Sequence, residues 1–366
     1  MFYLTGIIIT FFLVIILTSK KNKSQADKIL SLWLFFTGFH LILFYLHFNN
    51  ESIKFPFLLG CEIPMPLVQG PFLYLYTSAL TNQDHNKKYN LLHFVPFGIA
   101  ILLLLPFFGL SPHEKIDIYK NEGKGYEQLL LIIYISVIIS GILYALFSLQ
   151  KLSKHRKNIT EQFSFTEKIN LRWLSYLILG SGLIWVVVIF CDDQYIYSTV
   201  VLYLLFIGYF GIKQVGIFTN KPISENNQTE VLVLETIAAE VKSEKIKYEK
   251  SGLGNTELLT IHKNLTELME NEKLFKNSEV TLSELSQKLN IHPNILSQVI
   301  NSVEQKNFYD YINYQRVEEF KRIIALPENQ KFTLLSLAFE CGFNSKTAFN
   351  RNFRKVTGLS PSEYLK

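Results

Sequence analysis

The chain has 366 residues, 49% of them hydrophobic and 18% charged, with 36 Lys and Arg against 31 Asp and Glu for a net charge of +5. That length exceeds what one domain usually needs, the three cysteines make no disulfide framework, and so modest a charge singles out no partner. The averages conceal a sharp split. Residues 1–218 run in long stretches of Leu, Ile, Phe and Tyr, whereas the chain from Asn220 onward is charged and carries ordinary helical periodicity.

A membrane-crossing helix needs about 20 mostly apolar residues. Seven segments meet that demand: Phe2–Thr18, Ile29–Phe48, Ile63–Leu80, Leu91–Leu110, Gln128–Leu149, Leu171–Phe190 and Tyr195–Lys213. The first lacks the basic start and small-residue cleavage site of a signal peptide and is followed by Lys20, Lys21 and Lys23, which suit an inner-side stop. The first, third and fifth connections carry eleven basic residues and the second, fourth and sixth carry four. The positive-inside rule then puts the N-terminus outside and everything after Lys213 in the cytoplasm, in agreement with an odd number of spans.

Polar residues inside such segments are costly and so mark candidate function. His40 and His47 lie seven apart on one helix face, Glu62 sits at an outer end, and Gln69 precedes the Gly70-Pro71 break. Two readings stand side by side for these groups. Either they snorkel and pair with neighbouring helices, or His40, His47, Glu62, Gln69 and the Asp192/Asp193 pair rim an outward-facing ligand pocket; a metal or proton relay is a third reading. Cys61 and Cys191 both fall near the outer face, where a disulfide is conceivable, while Cys341 reads as a small buried residue.

Residues 214–260 form a connector. Lys221-Pro222 through Thr229 reads as a turn-rich linker, and Glu230–Lys250 as a helix whose Leu234, Ala238, Val241 and Tyr248 share a stripe, suited either to dimer formation or to packing on the next domain.

From residue 261 to 366 the signals are those of two helix-turn-helix units. Ile261, Leu265, Leu268 and Phe275 make a helical stripe. Thr281 and Glu284 form a capping box, Asn290 ends that helix, and Pro293 stands at the first position of the next, which exposes Asn294, Ser297 and Gln298. A long helix spans about Asn307–Leu326, stopped by Pro327; at about 28 Å it approaches the ~34 Å turn of B-DNA, so it can set two recognition helices in successive major grooves. The second unit has Thr333–Phe339, a turn at Cys341-Gly342-Phe343-Asn344, and a helix capped by Ser345 and closed by Gly358. Ala348, Phe349 and Phe353 turn inward, which leaves Lys346, Thr347, Asn350, Arg351, Arg354 and Lys355 for DNA. The second unit has the basic footprint that phosphates require and the first barely does.

The runs Phe308-Tyr309-Asp310-Tyr311-Ile312-Asn313, Arg316-Val317-Glu318-Glu319, Gly342 through Lys355 and Thr357-Gly358-Leu359-Ser360-Pro361-Ser362-Glu363-Tyr364 resemble the AraC family of bacterial transcription regulators, in order, spacing and residue type. The resemblance covers about Asn264–Lys366. It implies seven helices, two helix-turn-helix subdomains and a rigid linking helix, with recognition residues at Asn294, Ser297 and Gln298 and at Lys346, Thr347, Asn350 and Arg351, and Arg354 and Lys355 nearer phosphate. The family often has a basic residue where this chain has Gln298. Gly208 through Gln214 and Lys247 through Leu253 resemble members with a multi-span N-terminal membrane region.

The expected architecture is all-α: a seven-helix transmembrane sensor over 1–213, the connector, and a soluble seven-helix domain reading double-stranded DNA. Such a protein sits in the bacterial inner membrane, pairs with a second copy, and answers a small-molecule or membrane-derived signal. No nucleophile–base pair, phosphate loop or close carboxylate motif is present, so neither a catalytic residue nor a cofactor is expected. The rival is a transporter or intramembrane enzyme with a cytoplasmic regulatory appendage; proteolytic release of the soluble half is a third arrangement.

Overall fold

The structure is a computed structural model that describes residues 2–83, 87–167, 169–213 and 254–365. It is helical throughout; among the described residues the one strand-like pairing is an isolated antiparallel bridge between Phe163 and Thr281. The expected linker and helix over 221–250 lie outside the described residues.

The apolar half contains α1 (Phe2–Ser19), α2 (Gln25–Phe48), α3 (Pro66–Leu80), α4 (Val95–Phe108), α5 (Pro112–Lys120), α6 (Glu127–Gln162), α7 (Arg172–Phe190) and α8 (Asp193–Lys213). Five stretches are long and apolar enough to cross a membrane: α1, α2, Tyr89–Phe108, α6 and α7. Helices also occupy the other two expected spans. Of these, α3 has 15 residues, with Pro66 at its start and Pro71 inside. That length rises about 22 Å, short of a ~30 Å hydrocarbon core. The short α5 was not foreseen; Ser111 and Glu114 cap it reciprocally.

The chain divides into two compact units. Of the described residues, one unit holds 2–152 and 172–213, and the other holds 153–171 together with 254–365. The fifth connection, expected as a loop of the apolar half, therefore folds with residues 254–365.

Small residues let the apolar helices approach closely. A Cβ on Gly141 of α6 would stand 2.1 Å from the Trp185 ring of α7. Trp185 closes a core with Leu67, Ala100, Leu104, Ile133 and Val137. Other apolar side chains point outward: Ile8, Leu102 and Leu131 are 61%, 63% and 57% exposed, an exterior suited to lipid rather than water.

The second unit carries α9 (Asn255–Glu272), α10 (Leu282–Lys288), α11 (Pro293–Glu304), α12 (Phe308–Ile324), α13 (Leu334–Glu340), α14 (Lys346–Thr357) and α15 (Pro361–Tyr364), the seven helices expected. It has two cores. Leu265, Met269, Phe275, Leu285, Leu296 and Ile300 build the first, and Leu337, Ala338, Cys341, Phe343, Phe349 and Phe353 the second. Helix α12 belongs to both: Phe308, Tyr311 and Ile312 enter the first, while Val317, Phe320 and Ile323 enter the second. Its 17 residues span about 26 Å.

The turn between α13 and α14 needs glycine twice over. Gly342 has φ +94°, and a Cβ there would lie 2.4 Å from the Phe275 carbonyl oxygen and 2.8 Å from that of Lys276. Both are backbone atoms and cannot swing away. Gly342→Ala is therefore expected to destabilise this unit by more than about 2 kcal/mol. Limited proteolysis of the full chain checks this: 254–365 becomes labile while the apolar helices stay intact, and unchanged resistance would refute it.

Candidate nucleic-acid interface

The first helix-turn-helix forms as its caps dictate. Thr281 and Glu284 complete a capping box at the start of α10, and Asn290 takes a left-handed turn at φ 52°. Pro293 opens α11, where His292 Nδ1 accepts from the Asn294 amide at 3.2 Å. Leu296, Val299 and Ile300 are buried, which turns Asn294 and Gln298 to solvent and leaves Ser297 half-buried. Asn301, one helical repeat beyond Asn294, extends the same stripe and donates to Ser297 Oγ at 3.3 Å. Its i+7 spacing was the signal that could have added it. The stripe is polar and carries no charge.

The second unit is built likewise. Thr333 caps α13, Ser345 Oγ accepts from the Ala348 amide at 3.0 Å, and Gly358 closes α14 in the left-handed conformation. Ala348, Phe349, Asn352 and Phe353 are buried, and Lys346, Thr347, Asn350, Arg354 and Lys355 are exposed. Arg351 is half-buried. Its Nη2 donates to Glu167 Oε1 at 2.7 Å and to the Tyr309 hydroxyl at 2.6 Å. Lys355 pairs with Asp310 Oδ1 at 2.7 Å. Two of the cations assigned to DNA thus already hold carboxylates of this unit. Glu167, Tyr309 and Asp310 were not foreseen as their partners, since no local pattern joins residues so far apart in sequence.

Two buried charges hold the heads together. Arg316 is 2% exposed. Its Nε donates to the Phe275 carbonyl at 2.7 Å, Nη2 to the Asn277 carbonyl at 2.8 Å and Nη1 to Asn313 Oδ1 at 3.2 Å. Burial lowers its pKa to about 10, so the group stays charged at neutral pH. Glu319, one turn on, accepts from Arg322 at 2.8 Å, and lies 3.1 Å from Lys276 and 3.3 Å from Lys273. Those cations, Arg322 foremost, hold its carboxyl at about 2.

The apolar unit holds a cavity of about 390 Å³. His40, Glu62 and Gln69 all line it, as does Asp193, with Trp33 and Tyr197 among their neighbours. Tyr197 shares a 2.8 Å hydrogen bond with His40 Nε2, and Gln69 Oε1 accepts from Trp33 Nε1 at 2.7 Å. His47 is not part of the lining: its Nδ1 bonds the Tyr119 hydroxyl of α5, which draws it away from His40. Cys61 and Cys191 are free thiols, so the conceivable disulfide is not formed. Among the described residues no group of three His, Cys, Asp or Glu stands close enough to hold a metal.

A family model described as a helix-turn-helix domain matches residues 285–366. The uncharacterized HTH-type transcriptional regulator YijO of Escherichia coli (strain K12) is 33% identical over 87 residues, which make up 24% of this chain and 30% of that protein. The chain thus covers under a third of that relative's length. No solved structure matches it.

Glu319 makes the stability of the DNA-reading unit depend on acid. Its carboxyl is depressed from 4.5 to about 2, so its contribution is complete above 4.5 and is lost as pH falls through 2. Across that window the unit is expected to lose roughly 2–3 kcal/mol, and Glu319→Gln to abolish that part of the slope. Hydrogen exchange of α12 amides in the solubilised chain, corrected for intrinsic rates, measures it; identical slopes would disprove the assignment.

Proposed function

We propose that the chain is a DNA-binding transcription regulator with an AraC-type helix-turn-helix domain over 285–366, and that it works from within a membrane. It is a one-component sensor: the apolar half perceives a signal and the two reading heads answer on DNA. One observation carries this reading. Five helices long and apolar enough to span a bilayer belong to the same polypeptide as the helix-turn-helix domain. The eleven-to-four asymmetry of basic residues supports a cytoplasmic C-terminal half, on the side where DNA lies.

In this reading Lys346 and Arg351 face base edges, with Thr347 and Asn350 beside them, and Arg354 and Lys355 face phosphates. Asn294, Ser297 and Gln298 read from the first head. A homodimer places these heads on repeated half-sites. The signal site is the cavity holding His40, Glu62, Gln69 and Asp193, whose volume falls in the range of small-molecule pockets. Its apolar walls and carboxylates fit a ligand with an apolar body and a basic or hydrogen-bonding head. Such a ligand acts by binding two arrangements of the helices unequally.

Crosslinking the full chain to genomic DNA and mapping the fragments tests the class and supplies the operator. Arg351→Ala and Lys346→Ala are each expected to abolish regulation of a reporter carrying that operator while the protein stays in the membrane fraction. Recovery of the intact chain from the cytosol, or a reporter indifferent to both substitutions, would sink the proposal. A bulky residue at a small position in the cavity wall, Ser181→Phe, is expected to hold the reporter at one level across growth conditions that move the wild type. An unaltered response would remove the cavity from the mechanism.

A further inference from the structure

The end of α6 and the connection onward to α7, residues 153–171, fold as part of the DNA-reading unit. Ser164 anchors it. The Ser164 amide donates to the Val280 carbonyl at 3.3 Å, and its own carbonyl accepts from Asn313 Nδ2 at 3.1 Å and from Arg316 Nη1 at 3.3 Å. Its hydroxyl accepts from Arg316 Nη2 at 3.2 Å. Phe163, 3% exposed, bridges to Thr281 at the cap of α10. Three residues beyond Ser164, Glu167 delivers its carboxylate to Arg351 on α14, the 2.7 Å contact described above.

We propose that residues 163–167 form an internal competitor of DNA: a clasp that occupies the Arg351 guanidinium and must leave before α14 can enter a groove. Arg351 lies on one stripe of α14 with Thr347, Asn350 and Arg354. To donate to a guanine edge or a phosphate, its Nη2 needs the hydrogens that Glu167 and Tyr309 now take. A carboxylate left at that position would also face the phosphate backbone with like charge. The clasped and DNA-bound forms therefore compete for the guanidinium.

The pair is well made for a reversible role. Arg351 and Glu167 are 38% and 21% exposed, so solvent screens their attraction and their separation is cheap. The clasp is tied at both ends to apolar helices, α6 before it and α7 after it. A signal that shifts either helix can draw Glu167 off Arg351 directly, without acting through 214–253. The inference rests on the reading of α14 as a DNA-contacting helix, and its test separates the two.

The test uses the full chain in phospholipid nanodiscs and in cells. Glu167→Gln keeps the shape and removes the charge; it is expected to raise operator occupancy in unstimulated cells roughly two- to fivefold at equal protein level. Ser164→Ala, which loosens the anchor, is expected to act in the same direction. In nanodiscs, adding a mixed-sequence duplex at low salt is expected to speed hydrogen exchange across 159–167. If Glu167→Gln leaves occupancy unchanged or lowers it while Arg351→Ala abolishes it, the clasp is wrong and α14 still reads DNA. Occupancy that survives Arg351→Ala overturns both. Exchange across 159–167 that ignores the duplex overturns the clasp by itself.

Discussion

The DNA-reading unit depends on one buried cation. Arg316 stands at the middle of α12, where the core of the first head gives way to that of the second, and among the described residues no carboxylate forms an ion pair with it, though Glu167 favours its charge from farther off. Its guanidinium is met instead by carbonyl and hydroxyl oxygens: Phe275, Asn277, Asn313 and both oxygens of Ser164. A buried charge is tolerable only when each of its donors is satisfied, so these partners are fixed in place as a set. The Phe275 carbonyl that accepts from Arg316 is also the atom that leaves Gly342 no room for a side chain. The turn of the second helix-turn-helix, the turn after α9 and the linking helix thus converge on one oxygen. The spacing between recognition helices follows from that convergence more than from the stiffness of α12 alone.

The apolar unit obeys the opposite constraint. Its exterior is greasy and several of its polar groups find partners inside: Gln69 with Trp33 and Thr37, His40 with Tyr197, and the Tyr203 hydroxyl with the Leu177 carbonyl. Polar side chains at such depth are retained where they bond one another or line a cavity, and here they do both. The broken approach to α3, with Pro64 ahead of it, Pro66 at its start and Pro71 within, gives the cavity part of its wall without a full-length helix.

Local signals made most of the second unit legible. Thr281 with Glu284, Pro293, Ser345, Gly358 and Pro327 each act within a few residues, so sequence spacing alone locates the helix ends they set. The apolar spans were legible from run length, but α3 came out shorter than its hydrophobic stretch because prolines decide where it can begin. What stayed hidden was tertiary. His47 turns to Tyr119 because α5 forms, and α5 lies in a connection read only for its charges. Glu167 reaches Arg351 across 184 positions, and nothing in either neighbourhood signals the other. The exposed faces of α11 and α14 could be derived from periodicity; the groups that already occupy them could not.

The uncharged stripe of α11 has its own consequence. Amide and hydroxyl groups displace no condensed counterions, so in the proposed reading whatever discrimination Asn294, Gln298 and Asn301 supply is nearly indifferent to ionic strength, whereas the grip of the basic α14 weakens as salt rises. In that reading the balance of influence between the heads drifts with the osmotic state of the cell. On that reading α14 dominates in dilute cytoplasm, and in concentrated cytoplasm occupancy narrows to sites whose bases suit the amide head.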